Sequence, residues 1–175
     1  RNTRRQRQMC IRDSYNKINI SLASDLDQLR EKWDENPSRY ITSVSSDPNG
    51  EKIVVTARGR VFVVPVKTGR TISFTENKGV RYRDAIFSHD GKEIITLSDE
   101  SGEFEFIKLN STGSENQTKI TKNGITLRYQ GIPSPDGKWI AYDDLESNMY
   151  ILDIKTGESK KISTNNEGIR DFSWS

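Results

Sequence analysis

Short apolar runs alternate with polar, glycine-containing turns along most of the chain. In "KIVVTARGRVFVVP" and "KWIAYDDLESNMYILD", β-branched and aromatic residues cluster in short stretches, and charged residues fall between them. Stretches of this kind, bounded by Asp-Gly, Asn-Gly or Thr-Gly pairs, are typical of β-strands joined by tight hairpins. The pattern therefore predicts an all-β chain, with no helix between successive strands.

The turn that opens each unit recurs at a nearly constant interval. Its glycines are Gly50, Gly91 and Gly137, which lie 41 and 46 residues apart, and Ser175 follows the matching Ser134 by another 41. An interval of about 40 residues that holds four short strands is the signature of a propeller blade. The chain is therefore predicted to be a β-propeller fragment with about three four-stranded blades plus the first strand of a fourth.

The apolar runs within each interval define the predicted strands. We place the propeller at residues 39–175, with blades at 39–78, 79–124 and 125–168 and the start of the next at 169. Such sheets bury both faces only when stacked, so an open ring would leave apolar residues such as Val61, Val63, Ile151 and Trp174 uncovered. The predicted strands, in chain order, are Tyr40–Ser45, Lys52–Ala57, Arg60–Pro65, Thr71–Thr75, Arg83–Phe87, Glu93–Ser98, Glu103–Leu109, Gln117–Thr121, Tyr129–Pro133, Trp139–Asp143, Asn148–Asp153 and Ser159–Ile162.

Residues 1–14, "RNTRRQRQMCIRDS", differ from the rest of the chain in composition. They hold five arginines and one aspartate, which suits a disordered tail or an arm for nucleic-acid binding or nuclear targeting. We interpret them instead as non-native, because Met9–Ser14 resembles the translated end of a transposon adapter used in sequencing libraries. Cys10, the single cysteine, lies in this stretch, so cysteine usage indicates neither a disulfide, nor a metal, nor a compartment.

Residues 15–38 are predicted to connect this arm to the first blade. Ser24 is suited to cap a short helix, because an acidic residue follows it three positions later. Pro37 would end that helix, since the residue before a proline disfavours helical geometry. The apolar face of the helix would be formed by Leu26, Leu29 and Trp33.

The charge balance argues against nucleic acid as a partner of the folded part. The whole chain has a formal net charge of +2, but the residues that follow the arm carry 22 basic and 24 acidic side chains, a net charge of −2. A nearly neutral domain offers no basic footprint for a phosphate backbone. No run of apolar residues is long enough to predict a membrane-spanning helix, so no membrane association is expected.

Residues that could carry chemistry are few, and none is predicted to be catalytic, cofactor-binding or metal-binding. His89, the single histidine, falls in a hairpin turn where the other copies have proline, and one histidine cannot build a metal cluster. The carboxylate pairs Asp99-Glu100 and Asp143-Asp144 fall at strand-to-turn corners, where acidic residues usually serve as turn formers. No cofactor is expected.

Four stretches, taken in order, resemble the N-terminal propeller region of tricorn-type proteases. They are Thr56–Phe62 ("TARGRVF"), Arg81–Ala85 ("RYRDA"), Ser98–Glu103 ("SDESGE") and the repeat at Ser134–Tyr142. The segment "PSRYITSVSSDPNGEKIVVTARG" resembles the passage in that family from a six-bladed propeller into a seven-bladed one. The resemblance covers about residues 16–175.

The resemblance implies a role in oligopeptide processing. Proteins of this family are large, self-compartmentalising serine peptidases whose propellers form funnels and gates and do not cut peptides. The inner strands Tyr40–Ser45, Arg83–Phe87 and Tyr129–Pro133 would then line the channel. The catalytic serine, histidine and acidic partners of the family have no matching positions here. The implied partners are peptides, the other domains of the same polypeptide and, for the whole protein, further copies of itself, in the cytoplasm or alternatively the periplasm.

Two other functions are open on the same residues. The turn repeat is shared by many propellers, so the chain could be a binding or scaffold propeller of the TolB type, with no enzyme attached. It could equally be the lid propeller of another hydrolase, such as a prolyl-oligopeptidase-like enzyme or an amidohydrolase. The rest of the polypeptide would distinguish these alternatives. A PDZ-like segment with a serine peptidase domain favours the tricorn type, closing blades alone favour the TolB type, and a nucleophile elbow in an alternating βα pattern favours the lid propeller.

Overall fold

The computed structural model describes residues 19–21, 32–74, 79–113, 117–122, 124, 126–164 and 172–175. The chain divides into two compact units, Arg1–Glu35 and Asn36–Ser175. In the first unit the described residues form no helix or strand, and Trp33 is exposed outside any helix. The predicted arm at 1–14 and residues 24–31 of the predicted helix lie outside the described residues.

The second unit begins with a 3₁₀ turn at Pro37–Tyr40 and continues as three four-stranded antiparallel sheets. Within each sheet every strand pairs with the next strand along the chain, so each sheet is a meander. The first sheet contains β1 (Ile41–Ser46), β2 (Lys52–Ala57), β3 (Arg60–Pro65) and β4 (Ile72–Ser73). The second contains β5 (Tyr82–Phe87), β6 (Glu93–Ser98), β7 (Glu105–Asn110) and β8 (Thr118–Lys119). The third contains β9 (Ile132–Pro133), β10 (Trp139–Asp143), β11 (Asn148–Asp153) and β12 (Ser159–Thr164).

These sheets confirm the predicted all-β architecture of four-stranded blades. The strands β2, β3, β6, β10 and β11, which lie inside their sheets, have the predicted bounds. The strands whose observed bounds differ from the predicted ones are mainly first and fourth strands. These pair on one side only, so fewer hydrogen bonds determine where they end. In the segment 172–175, predicted as the first strand of another blade, Trp174 Nε1 donates a hydrogen bond of 2.9 Å to the carbonyl oxygen of Ile132.

Side-chain hydrogen bonds fix the turn that opens each second strand. In the third blade Ser134 Oγ accepts from the Trp139 amide at 3.0 Å and donates to Asp136 Oδ1 at 2.6 Å. The second blade repeats these bonds with its own serine and aspartate. In the first blade Asp47 Oδ1 accepts directly from the amides of Glu51 and of Lys52, the first residue of β2. Gly137 has a φ of 70°, which glycine adopts without a Cβ clash, and this explains the Asp-Gly pattern.

Two apolar clusters lie between successive blades. Neighbouring positions of β7 separate the clusters: Ile107 belongs to the first and Phe106 to the second, because side chains alternate between the faces of a strand. The second blade is therefore covered on both faces. The buried residues of the first cluster are Val54, Val61, Val63, Tyr82, Ala85, Phe87, Ile94, Ile107 and Leu109. Those of the second are Ile95, Leu97, Phe106, Ile120, Ile140, Tyr142 and Leu152.

The clusters correct one expectation about uncovered residues. Val61 and Val63 are buried, because they face the second blade and not the outside of the first. Ile151 and Trp174, by contrast, line an open groove of about 520 Å³ on the far side of the third blade. Among the described residues there is no helix with the length and apolar character needed to span a bilayer.

Candidate functional site

The first strands β1, β5 and β9 pair on one side only, and we call their unpaired side the inner edge. β5 contacts β1, β2 and β3 of the preceding blade, so the first strands of the first two blades lie side by side. In a propeller the first strands of all blades surround the central channel. The inner edge is therefore the candidate functional site of this unit.

The inner edge of the second blade carries an acidic residue in a strained conformation. Asp84 has a φ of 53°, at a β-bulge that follows Arg83. Positive φ is uncommon outside glycine, and bulges re-aim side chains near functional sites. The bulge is held on one side by Thr96 Oγ1, which donates to the Arg83 carbonyl at 2.7 Å. On the other side Thr56 of the first blade accepts from the Ala85 amide at 3.2 Å.

Charge and apolar surface are distributed unevenly along the inner edge. In the second blade Arg83 Nε lies 3.8 Å from Asp84 Oδ2, and its guanidinium lies 5.4 Å from the centre of the Phe104 ring. The first blade has no charged residue in β1. In the third blade Gln130 is exposed; it lies four residues before Ser134, as Asp84 lies four before its matching serine. The described inner edge thus offers both polar and apolar contacts.

The arginine-glycine hairpin that carried the resemblance lies between β2 and β3. Gly59 has a φ of 73°, and its carbonyl accepts from the Tyr82 amide of the second blade at 2.9 Å. A Cβ on this glycine would meet the side chain of Arg81 at 3.4 Å. The guanidinium of Arg58 stacks 3.9 Å from the centre of the Tyr40 ring. The hairpin therefore joins the first two blades as well as closing a turn.

The first acidic pair that the sequence singled out serves structural contacts. Asp99 Oδ1 accepts from the Arg81 amide at 2.7 Å. Glu100 Oε2 forms an ion pair of 2.9 Å with Lys119. His89 is exposed in its turn, and the described residues contain no group of three or more histidine, cysteine or acidic side chains that could hold a metal ion.

The second acidic pair lies at the hairpin between β10 and β11, and its two members differ in environment. Burial raises the pKa of Asp143, and the neighbouring carboxylate of Asp144 raises it further. Burial also pushes the pKa of Asp144 upward, but hydrogen bonds from Asn148 and Tyr150 outweigh it and hold that pKa below its usual value. Asp144 Oδ1 accepts from the Asn148 amide at 2.9 Å. This network shapes the turn.

Sequence reasoning missed a deeply buried polar cluster among the described residues. Glu105, at the start of β7, forms an ion pair of 2.5 Å with Arg128, which lies in the segment leading to β9. The carboxylate of Glu105 also accepts from Thr121 and from the Gly124 amide. No local motif signals this cluster, because its members are spread along the chain and Arg128 meets Glu105 only when the second and third blades pack together. Its position marks it as a link between blades.

A family model covers most of the chain. Residues 41–175 match the model described as the tricorn protease second beta propeller domain. A curated relative, the "Tricorn protease homolog" of Saccharolobus solfataricus, is 24% identical over 164 residues, which is 93% of this chain. The chain spans only 14% of the length of that relative.

Solved structures agree with the blade architecture. The crystal structure of the tricorn protease matches with a TM-score of 0.64 and 18% identity, over 75% of this chain and 12% of that one. TolB from Acinetobacter baumannii matches with a TM-score of 0.57 and 23% identity, over 69% of this chain and 32% of that one. At these identities the likeness shows the fold, and the family model shows which propeller it is. The chain belongs to the family of the tricorn protease second β-propeller domain.

Proposed function

We propose that the chain is a non-catalytic propeller portion of a tricorn-like serine peptidase. Its inner edge would form part of the funnel or gate through which oligopeptides reach a catalytic region elsewhere in that protein. The observation that carries this proposal is the match of residues 41–175 to the second propeller of tricorn proteases. The similarity to a curated tricorn protease homolog supports it.

The inner edge is suited to contact peptides without cutting them. A passing peptide presents backbone amides, carbonyls and side chains of mixed polarity, and the described edge offers the charged Arg83 and Asp84 beside uncharged β1. Peptide hydrolysis needs an activated nucleophile held near its base. We assign that chemistry to another part of the proposed protein, which we take to be a homo-oligomer in the cytoplasm or, alternatively, the periplasm.

The test narrows the passage in the complete polypeptide that carries these blades. Gln130→Trp places a large side chain at an exposed position just before β9, which corresponds in the repeat to Asp84 of the second blade. A narrower passage lowers kcat/KM for a long oligopeptide, because entry of the substrate becomes slower. Hydrolysis of a dipeptide chromogenic substrate is expected to change little. Val66→Trp is the matched control, because Val66 is exposed in the turn after β3, away from the inner edge.

Two results would contradict the funnel. One is an equal loss of activity on the long and the short substrate, which would indicate damage to the fold or to the catalytic region. The other is the same effect from Gln130→Trp and Val66→Trp, which would show that the position of the tryptophan does not matter. Circular dichroism of both variants, compared with the parent protein, separates misfolding from a blocked passage.

The second candidate is a binding or scaffold propeller of the TolB type. It is favoured by the structural matches to TolB from Acinetobacter baumannii and to a putative TolB from Agrobacterium tumefaciens, with TM-scores of 0.57 and 0.60. A scaffold would hydrolyse no peptide even as the complete polypeptide. Peptidase activity of the purified full-length protein, abolished by a serine-directed inhibitor, decides between the two candidates.

A further inference from the structure

A groove lined by lysines opens at the outer part of the boundary between the second and third blades. Its volume is about 630 Å³, and we call it the lysine groove. Ile120 is buried and Ile154 packs against the second apolar cluster, so these two residues give the groove an apolar floor. Its walls carry four lysines: Lys108, Lys119, Lys122 and Lys155.

The equivalent place between the first and second blades is apolar. Lys108 pairs with Thr118 across β7 and β8, and Val63 pairs with Ile72 at the same register of β3 and β4. Val63 is fully buried in the first apolar cluster. The blade fold therefore does not need a lysine at this position. In the second blade the chain has replaced a packed apolar contact with an open, basic one.

The charges in the lysine groove are only partly neutralised. Lys108 Nζ lies 2.8 Å from Glu93, and Lys119 Nζ lies 2.9 Å from Glu100. Lys122 and Lys155 are exposed and form no ion pair with a carboxylate of the described chain. The residues that line the groove include no aspartate or glutamate. The groove therefore keeps a positive potential, although the residues after the arm have a net charge of −2.

The wall that carries Lys155 is fixed against the second blade. Gly157, in the same turn, lies so close to the carbonyl oxygen of Ile120 that a Cβ would collide with it. The turn is also held by Asp153, whose Oδ1 accepts from the Lys155 amide at 2.8 Å. A site whose walls are already in place loses little conformational entropy when a ligand binds.

We propose that the lysine groove binds an acidic peptide segment of a partner protein. The segment places one apolar side chain on the floor of Ile120 and Ile154 and its carboxylates beside Lys122 and Lys155. A peptide fits better than a single small anion, because the groove is larger than one ion and has an apolar floor. A nucleic acid fits less well, because its phosphates continue along the whole strand and need a basic surface beyond the groove, whereas the residues after the arm carry a net charge of −2.

The experiment measures fluorescence anisotropy of a fluorescein-labelled peptide with one leucine flanked by glutamates. The protein is the complete polypeptide that carries these blades, and mass spectrometry confirms that the peptide stays intact. The variant Lys122→Glu/Lys155→Glu is expected to weaken binding about tenfold or more, since like charges at an interface repel. Added salt is expected to weaken binding to the parent protein. Lys67→Glu is the control, because Lys67 begins the same Lys-Thr-Gly turn in the first blade.

Three results would overturn the proposal. One is unchanged affinity in the double variant, and another is equal affinity for a peptide with glutamine in place of glutamate. The third is displacement of the peptide by single-stranded DNA at lower concentration than by unlabelled peptide, which would make the groove a nucleic-acid site. Lys122→Ala/Lys155→Ala repeats the test without charge reversal, so a folding defect of the first variant leaves the outcome decidable.

Discussion

Glu105 and Arg128 form an ion pair of 2.5 Å between Oε2 and Nη1, with only 5% and 7% of their side chains exposed. The pair ties the third strand of the second blade to the segment that leads into the third. Thr121 completes it, because its hydroxyl bridges to Arg128 Nη1 at 2.7 Å. Charges so deeply buried are tolerated only when every partner is in place. This cluster therefore fixes how the two blades meet.

Removing one member of this pair is expected to destabilise the blades strongly. Glu105→Ala removes one charge of the buried pair and leaves the other in place, which costs about 3–5 kcal/mol. The double change Glu105→Leu/Arg128→Met is expected to recover most of that loss, because it removes both charges of the pair. Hydrogen–deuterium exchange of the segment 105–128 in the complete polypeptide measures the local opening free energy.

The exposed pair Lys138–Asp136 provides the control for this measurement. Its ammonium and carboxylate lie 3.4 Å apart with 74% and 48% of the side chains exposed. Lys138→Ala is therefore expected to leave local stability almost unchanged. If the double variant at Glu105 and Arg128 opens as readily as the single one, the cluster is held by something other than its charge pairing.

Alanine at two glycines of the third blade is expected to destabilise the fold by two different mechanisms. A Cβ on Gly131 would lie 2.5 Å from Ile140 Cγ2 and 2.7 Å from Phe106 Cε1, so Gly131→Ala overpacks the second apolar cluster and costs about 1–3 kcal/mol. Gly137 has open space around it and a φ of 70°, so Gly137→Ala adds only backbone strain of about 1–2 kcal/mol.

A smaller residue at position 140 distinguishes steric overlap at Gly131 from backbone strain at Gly137. Ile140→Ala removes the Cγ2 methyl that a Cβ on Gly131 would meet, and is expected to relieve part of the defect of Gly131→Ala in a double-mutant cycle. The same substitution is expected to add independently to Gly137→Ala. Additive behaviour in both cycles, read from hydrogen exchange of β10, would argue against the overlap at Gly131.

The two aspartates between β10 and β11 are expected to make the stability of the blade depend on pH in opposite directions. The pKa of Asp143 is raised by burial and by Asp144, so the folded blade binds more protons than the unfolded chain and loses stability as pH rises through that raised pKa. Asp143→Asn is expected to slow hydrogen exchange of β10 at neutral pH, with the gain vanishing toward acid. The pKa of Asp144 is held low by its hydrogen bonds from Asn148 and Tyr150, although burial opposes them.

The change Asp144→Asn therefore supplies the contrasting measurement. The ionised Asp144 contributes stability above the usual aspartate pKa, and this contribution is lost as pH falls through its lowered folded pKa. Asp144→Asn is expected to speed exchange of β10 and β11 at neutral pH, because an amide donor would face Asn148 Nδ2 where Asp144 Oδ2 now accepts at 3.0 Å. Equal effects of the two substitutions would contradict the assigned environments.

Local patterns in the sequence account for the strands and turns but not for the contacts between blades. The Asp-Gly turns and the apolar runs determine β2, β3, β6, β10 and β11, because hairpin geometry depends on adjacent residues. The expectation that Val61 and Val63 are uncovered was wrong. The alternation of side chains along a strand does not tell which neighbouring blade covers which face.

The polar contacts between blades are missed for a related reason. Glu105 and Arg128 are separated by 23 positions, and the partner of each becomes visible only after two sheets have packed. The lysine groove is equally hidden in the sequence, since Lys108 and Lys155 come together from different blades. The repeat does carry one signal: Lys108 stands where the first blade has the buried Val63.

The chain by itself is expected to hydrolyse no peptide. Its single histidine, His89, is exposed in a hairpin turn, whereas a general base must lie within hydrogen-bond reach of its nucleophile. Fluorogenic oligopeptides incubated with the purified chain provide the measurement. Hydrolysis that persists through repeated purification and disappears in His89→Ala would contradict this expectation and the non-catalytic role proposed above.

The 175-residue chain studied alone is expected to self-associate. The far face of the third blade leaves an open groove of about 520 Å³ whose apolar lining includes Trp139, Ile151, Ile162 and Trp174. Exposed strand-rich apolar surface of this kind favours association between copies. Ile162→Lys is expected to shift the chain toward monomer in analytical ultracentrifugation, because it places a charge on that face.

Leu145 provides the matched control for this last prediction. It is also an exposed apolar residue, with 62% exposure against 47% for Ile162, but it lies in the turn between β10 and β11 and does not line the groove. Leu145→Lys is therefore expected to leave the association unchanged. A monodisperse monomer with a sharp, cooperative melt in the unmodified chain would show instead that three blades are stable without further cover. In that case the far face of the third blade would have to tolerate water, and the rule that a blade needs a neighbour on each side would not hold for this propeller.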